Sequence, residues 1–135
     1  MVGVLSPDEV EDVLYGGSVG RVACLADGQP YVVPLTYAYA GGDVYARALP
    51  GRLVTALRAR PGACFEVDER EGPVAWRSVV AEAAYEELGE GAERRAALGL
   101  LAGSAPAAVP AAVPGVVFRL RLTAKSGRFA ATVGR

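Results

Sequence analysis

The chain alternates short apolar-polar patterns of period two with two or three stretches of helical spacing. Val19 to Ala26, Tyr31 to Tyr39, Val44 to Ala48, Ala63 to Asp68, Trp76 to Leu88 and Val116 to Thr123 read as strands, rich in β-branched and aromatic residues. Asp27-Gly28 and Gly41-Gly42 are the turns of two hairpins. In the fifth strand Val79, Ala81, Ala83 and Tyr85 share one face.

Helices punctuate these strands. Ser6-Pro7-Asp8-Glu9 is a capping box that opens a helix to about Tyr15, closed by Gly16-Gly17. Gly51 to Arg60 carries Leu53, Ala56 and Leu57 at helical spacing and stops before Pro61. Glu90 to Leu101 has helical composition, with Ala92, Ala96 and Leu100 spaced by four. Ser104 to Gly115 holds Pro106, Pro110 and Pro114 among alanines, which neither continues a helix nor joins a sheet interior. It reads as a surface connection, and the tail after Gly127 as loosely held. The expected fold is mainly β: a six-stranded antiparallel barrel, closed or nearly so, with short flanking helices, in a single domain spanning 1–135.

Composition narrows the function. At 135 residues, 52% apolar and 21% charged, the chain has the size and balance of one globular domain. No apolar run of ~18 residues could span a bilayer. The first ten residues show no basic region followed by an apolar core, so a cytoplasmic protein is expected. Fourteen basic against fifteen acidic residues, with no basic block, argue against nucleic acid. Histidine is absent, which excludes a Ser-His-Asp triad, a Cys-His dyad and histidine-ligated metal, and no metal site is expected. Cys24 and Cys64 sit singly in apolar stretches and read as inert core thiols.

Three stretches could carry chemistry. Arg47 and Arg52 flank the start of a helix, where acidic residues usually complement the dipole. They are either solvated surface arginines or, with the helix end, a site for an anion such as phosphate. Pro34 interrupts a strong strand, which fits an edge or bulge whose backbone groups are left for a partner. Trp76 opens a strand and is followed by the hydroxyl of Ser78, either as packing or beside a ligand. Glu82, Glu86, Glu87, Glu90 and Glu93 read as a solvated face.

In order and spacing, the capped helix, Gly20-Arg21-Val22-Ala23, the run Asp27 to Tyr37, Pro61 to Asp68, Trp76-Arg77-Ser78-Val79-Val80 and Phe118-Arg119-Leu120 with Gly127-Arg128 resemble the FMN-binding split-barrel superfamily. That superfamily includes pyridoxamine-phosphate oxidases and 5-nitroimidazole-resistance proteins. The resemblance implies FMN in a groove between two subunits of a homodimer, and a flavoprotein oxidoreductase with an unknown small-molecule substrate. It places Val33, Pro34, Leu35 and Thr36 beside the flavin ring with backbone groups available to its polar edge, Ala46, Arg47, Arg52 and Leu53 at the phosphate, and Ser78 where a polar side chain meets the flavin, with Trp76 nearby. Leu53 stands where the family usually has lysine, and Ala48 where many relatives have Ser or Thr. The alternative is a non-catalytic homodimer with a degenerate flavin site; a deazaflavin or haem is a further possibility.

Overall fold

The computed structural model describes residues 1–104 and 115–131. Its first hairpin fixes the phase of the sheet. Strand β2 (Val19–Ala26) turns through Asp27 and Gly28, at φ 53° and 76°, into β3 (Gln29–Ala40). Two left-handed residues in succession form the kind of two-residue turn that matches strand twist, which favours Gly at its second position. From that turn the even residues of β2 point inward, so Gly20, Val22, Cys24 and Ala26 are buried while Val19, Arg21 and Leu25 are exposed.

All six expected strands are present. β4 (Asp43–Ala48), β5 (Gly62–Glu71), β6 (Ala75–Glu87) and β7 (Val116–Ala130) complete the ring β7-β4-β3-β2-β5-β6, closed by antiparallel pairing of β6 with β7. Closure removes most of the edge that an open sheet would expose. Two features depart from the expectation. A short strand, β1 (Val2–Val4), pairs with Arg128 to Ala130, and β7 runs on through Gly127 to Ala130 instead of ending at Thr123. Of the residues taken as a loose tail, Arg128 to Ala130 are therefore held on both edges, by β1 and by Trp76 to Ser78 of β6, and 132–135 lie outside the described residues. Alternation fades in that half, where Thr123 to Ser126 are all exposed, and so the strand was hidden from the sequence.

Inside the ring Tyr37, Phe65, Phe118, Leu14, Leu57 and Leu120 are fully buried. Tyr37 and Phe65 meet edge to face at 5.0 Å, and the Tyr37 hydroxyl donates to the Leu14 carbonyl oxygen at 2.7 Å. That bond ties α1 (Pro7–Gly16) to the core. Its amino end is the expected capping box: Ser6 Oγ accepts from the Glu9 N–H at 3.2 Å while Glu9 Oε1 accepts from the Ser6 N–H at 2.9 Å. These bonds hold the Glu9 carboxyl below its usual pKa.

Helix α2 (Arg52–Ala59) buries Val54, Ala56 and Leu57. Helix α3 (Ala92–Ser104) uses a different face from the expected one. Ala92, Ala96 and Leu100 are exposed, and the packed positions are Arg94, Ala97, Leu98 and Leu101. In so alanine-rich a helix small side chains satisfy several stripes, and the partner surface of Leu88, Val117 and Tyr45 decides. Cys24 is buried as expected, but Cys64 is exposed, because even positions of β5 face outward. The proline- and alanine-rich connection lies, from 105 to 114, outside the described residues. No helix among the described residues is long and apolar enough to cross a membrane.

Candidate functional site

Strand β3 changes partners along its length. β2 pairs with all of Gln29 to Thr36, whereas β4 pairs only with Tyr37 to Ala40. Among the described residues no strand pairs with the second edge of β3 from residue 29 to residue 36. In an antiparallel hairpin with a two-residue turn, Ala26 and Gln29 form the closing bonded pair, and the backbone then alternates between its edges. Odd residues of β3 bond toward β2, as the Tyr37 N–H does to the Ser18 carbonyl at 3.0 Å. The backbone groups of Pro30, Val32, Pro34 and Thr36 point to the open edge. Both prolines thus occupy positions whose N–H would have had no strand to bond, which explains how a proline fits in the middle of so regular a strand. Among the four residues singled out here, Pro34 and Thr36 offer backbone groups to the split, while Val33 and Leu35 spend theirs on β2.

The other side of the split is the link from β4 to α2. Past the pair Tyr37 and Ala46, β4 leaves β3, and Arg47 and Ala48 pair only with Val117 and Val116 of β7. Four residues later α2 begins at Arg52, with extended Gly51 as its N-cap, no side-chain cap and no acidic residue in its first turn. The Arg52 guanidinium stacks over the Tyr31 ring, 4.6 Å from its centroid. This cation-π contact sets the start of α2 beside the open stretch of β3. Burial pushes the Cys24 thiol up, against a smaller pull downward from the nearby Arg52 charge.

Arg47 is half-buried, with its Nε out of contact with solvent. It lies so close against Gly115 that a Cβ there would stand 2.8 Å from Nε and 3.1 Å from Cγ. A side chain at 115 would push the Arg47 side chain aside, a closeness hidden in the sequence because Gly115 looked only like the end of a loop. Tyr31 was also missed; its ring marks it only once Arg52 is seen above it. Ala46 and Leu53, by contrast, turn away from the split. Ala46 is fully buried with strands on both sides, and Leu53 packs against the barrel core.

Trp76 and Ser78 stand elsewhere in the chain. They pair with Ala130 and Arg128 at one end of β7, while Arg47 and Ala48 pair near the other. β7 is 15 residues long, so its ends are roughly 45 Å apart along the strand at about 3.3 Å per residue. Trp76 lines a separate cleft of about 260 Å³ with Phe129, Glu71, Arg77 and Glu9, in which Arg77 is paired with Glu69. Within one chain the two groups do not meet. Among the described residues no three metal-binding side chains gather.

Comparison with known proteins agrees with the barrel fold. A family model described as pyridoxamine 5'-phosphate oxidase matches residues 6–129. The crystal structure of a FAD-binding protein from Mesorhizobium loti, 39% identical, superposes with a TM-score of 0.86 over 97% of this chain and 99% of its own. A candidate 5-nitroimidazole antibiotic resistance protein from Bacteroides thetaiotaomicron superposes with a TM-score of 0.82 at 16% identity, over 96% of this chain and 88% of its own. At that identity the likeness is one of fold. An uncharacterized protein of Rhizobium meliloti is 37% identical over 87 residues, which are 64% of this chain and 58% of that protein's length.

Proposed function

Because the chain belongs to the pyridoxamine 5'-phosphate oxidase family across residues 6–129, we propose that it binds a flavin nucleotide at the split and acts as an oxidoreductase on a small molecule. The observation that carries this reading is the open edge of β3 facing the β4–α2 link, with Arg47 and Arg52 on either side of that link. A flavin needs polar groups along one edge of a flat ring and cations at its phosphate. The donor set fits: Val32, Pro34 and Thr36 present backbone groups for the ring edge, and the two arginines with the amino end of α2 suit the phosphate. A bound flavin supplies the electron transfer, and the chain orients it and sets its electrostatics. The Mesorhizobium loti relative is described as FAD-binding, so the FMN expected from the sequence becomes one of two nucleotides to test.

A homodimer belongs to the same proposal. Trp76 and Ser78 reach a flavin at the split only from a second copy, since their own chain holds them at the far end of β7. The outer face of β3-β2-β5-β6 supplies an apolar surface for it: Val32, Leu25, Val19 and Val80 are exposed at 62%, 43%, 48% and 48%. Exposed β-branched and leucine side chains in one sheet face are the mark of an interface. A dimer of this kind in the cytoplasm would keep Cys64 reduced.

Leu53 favours a second reading, a barrel dimer without flavin. Its side chain packs on the core and leaves no third cation at the phosphate position.

The visible spectrum of the purified protein and its sedimentation coefficient test the two parts together. Visible flavin absorption that sediments with a dimer supports both. A colourless monomer that stays colourless with added flavin removes both.

A further inference from the structure

The flavin reading leaves a second cleft unused, between the outward face of α2 and the Asp27-Gly28 turn. It encloses about 390 Å³ and is lined by Asp27, Gly28, Arg52, Thr55, Ala59 and Arg60 among others, at the small end of the range for ligand sites. Arg52, Thr55 and Ala59 recur at i, i+3 and i+7 and so share one face of the helix. Arg60 closes the far end, about 12 Å from Arg52 at 1.5 Å per residue. One wall therefore carries a cation at each end, a hydroxyl between them and a small side chain that leaves room.

The charges here are unlike the others on this helix. Arg58, between them, is held by Glu87 through Nε to Oε1 at 2.8 Å and Nη2 to Oε2 at 3.0 Å. Among the described residues neither Arg52 nor Arg60 has a carboxylate within 4.0 Å. Asp27 is the only acid among the residues lining the cleft, and it stands on the turn opposite the helix. Arg52 is common to this cleft and to the split, through its contact with Tyr31.

We infer that this cleft takes the adenylate half of FAD, which makes FAD rather than FMN the flavin of this protein. The inference rests on the flavin reading above and goes further by naming the nucleotide. A second phosphate matches the cations of Arg52 and Arg60 with the Thr55 hydroxyl, since charge-assisted bonds to phosphate oxygens are the strong ones. A ribose diol donates hydrogen bonds, and the Asp27 carboxylate is the acceptor the cleft provides.

The test is titration of flavin-free protein with FMN and with FAD, followed by flavin fluorescence, for the wild type, Arg60→Ala and Ala59→Glu. Both substitutions fall on exposed positions at the carboxyl end of α2, Ala59 its last residue and Arg60 its C-cap, and thermal melting checks that each variant is folded. FAD binding at least tenfold tighter than FMN, reduced about tenfold by either substitution while FMN affinity stays put, is the expected result. Equal affinity of the wild type for both flavins, or an FAD preference that survives both substitutions, overturns the adenylate site and leaves the flavin reading standing. Failure of both flavins to bind overturns the flavin reading and this inference with it.

Discussion

The arginines of the β6–β7 wall and those around the β4–α2 link live under different rules. On the wall, Arg119 is only 12% exposed and meets Glu86 at 2.6 Å and Glu93 at 2.8 Å, while Arg121 shares Glu86 at 3.1 Å. Arg77 meets Glu69 on β5, and on the adjoining face Arg21 of β2 meets Glu66 and Asp68 of β5. Each of these cations has its counter-charge on the neighbouring strand or helix, so its function is finished when the chain folds. Around the link, Arg52 rests on an aromatic face and Arg60 opens onto a cleft, with no carboxylate near either among the described residues. Folding leaves the Arg52 and Arg60 charges at the surface, where an arriving anion can meet them.

Substitution breaks the comparison most sharply at the link. Replacing Arg47 and Arg52 together with alanine is expected to weaken flavin binding about a hundredfold, on the order of 1.4 kcal/mol for each lost charge-assisted contact. Fluorescence titration measures this, and the melting temperature should fall little for Arg52→Ala alone, whose side chain is exposed. Arg119→Ala should do the reverse. It removes a nearly buried cation from two carboxylates and should cost roughly 1–3 kcal/mol of stability with flavin affinity unchanged. Denaturant melts that show no loss would mean the wall pairs are ornamental.

The apolar outer face gives the next effect. Val32→Glu places a charge in the outward-facing row of Val32, half-buried Ala23 and Cys64. It is expected to shift a dimer toward monomer by tenfold or more in dissociation constant, with the fold intact, since a buried unpaired charge is costly at an interface. Sedimentation at several concentrations reads this out, and an unchanged dimer would place the interface on another face.

The smallest effect concerns a matched pair. Lys125 Nζ donates to Glu11 Oε2 at 2.8 Å, and the Tyr39 hydroxyl donates to Glu11 Oε1 at 2.8 Å. Burial raises the Glu11 carboxyl, but these bonds outweigh it and hold its pKa below the ordinary 4.5. A carboxylate with a depressed folded-state pKa contributes stability above its unfolded value and loses it as pH falls through the folded one. Being partly exposed, the pair is screened, so Glu11→Gln should flatten the acid loss below pH 4.5 by only about 0.2–1 kcal/mol. Thermal melts at pH 7 and pH 3 compare the two proteins; equal slopes would remove Glu11 from the acid response.

Most of the fold was legible because burial alternates along the strands. Val19–Ala26 alternates without a break, and its boundaries were plain in the sequence. The pattern failed where burial stops alternating, at exposed β1 and in the second half of β7, and where alanines blur the stripe of α3. The site was legible as composition more than as arrangement. Pro34, Arg47 and Arg52 announced themselves by breaking a local rule: a proline in a strand and cations at a helix start. Ala46 and Leu53 came with their neighbours by position, yet the barrel turns both inward. Trp76 and Ser78 were right to look unlike the rest, since the chain sets them at the opposite end of β7.

The central claim is a flavin nucleotide seated at the split, and stoichiometric titration of flavin-free protein with flavin tests it most directly. Fluorescence change that saturates at one flavin per chain, and that Arg52→Ala shifts to higher concentration while Arg121→Ala leaves alone, is the expected outcome. A wild-type protein that never saturates, or one in which both substitutions act alike, would contradict it.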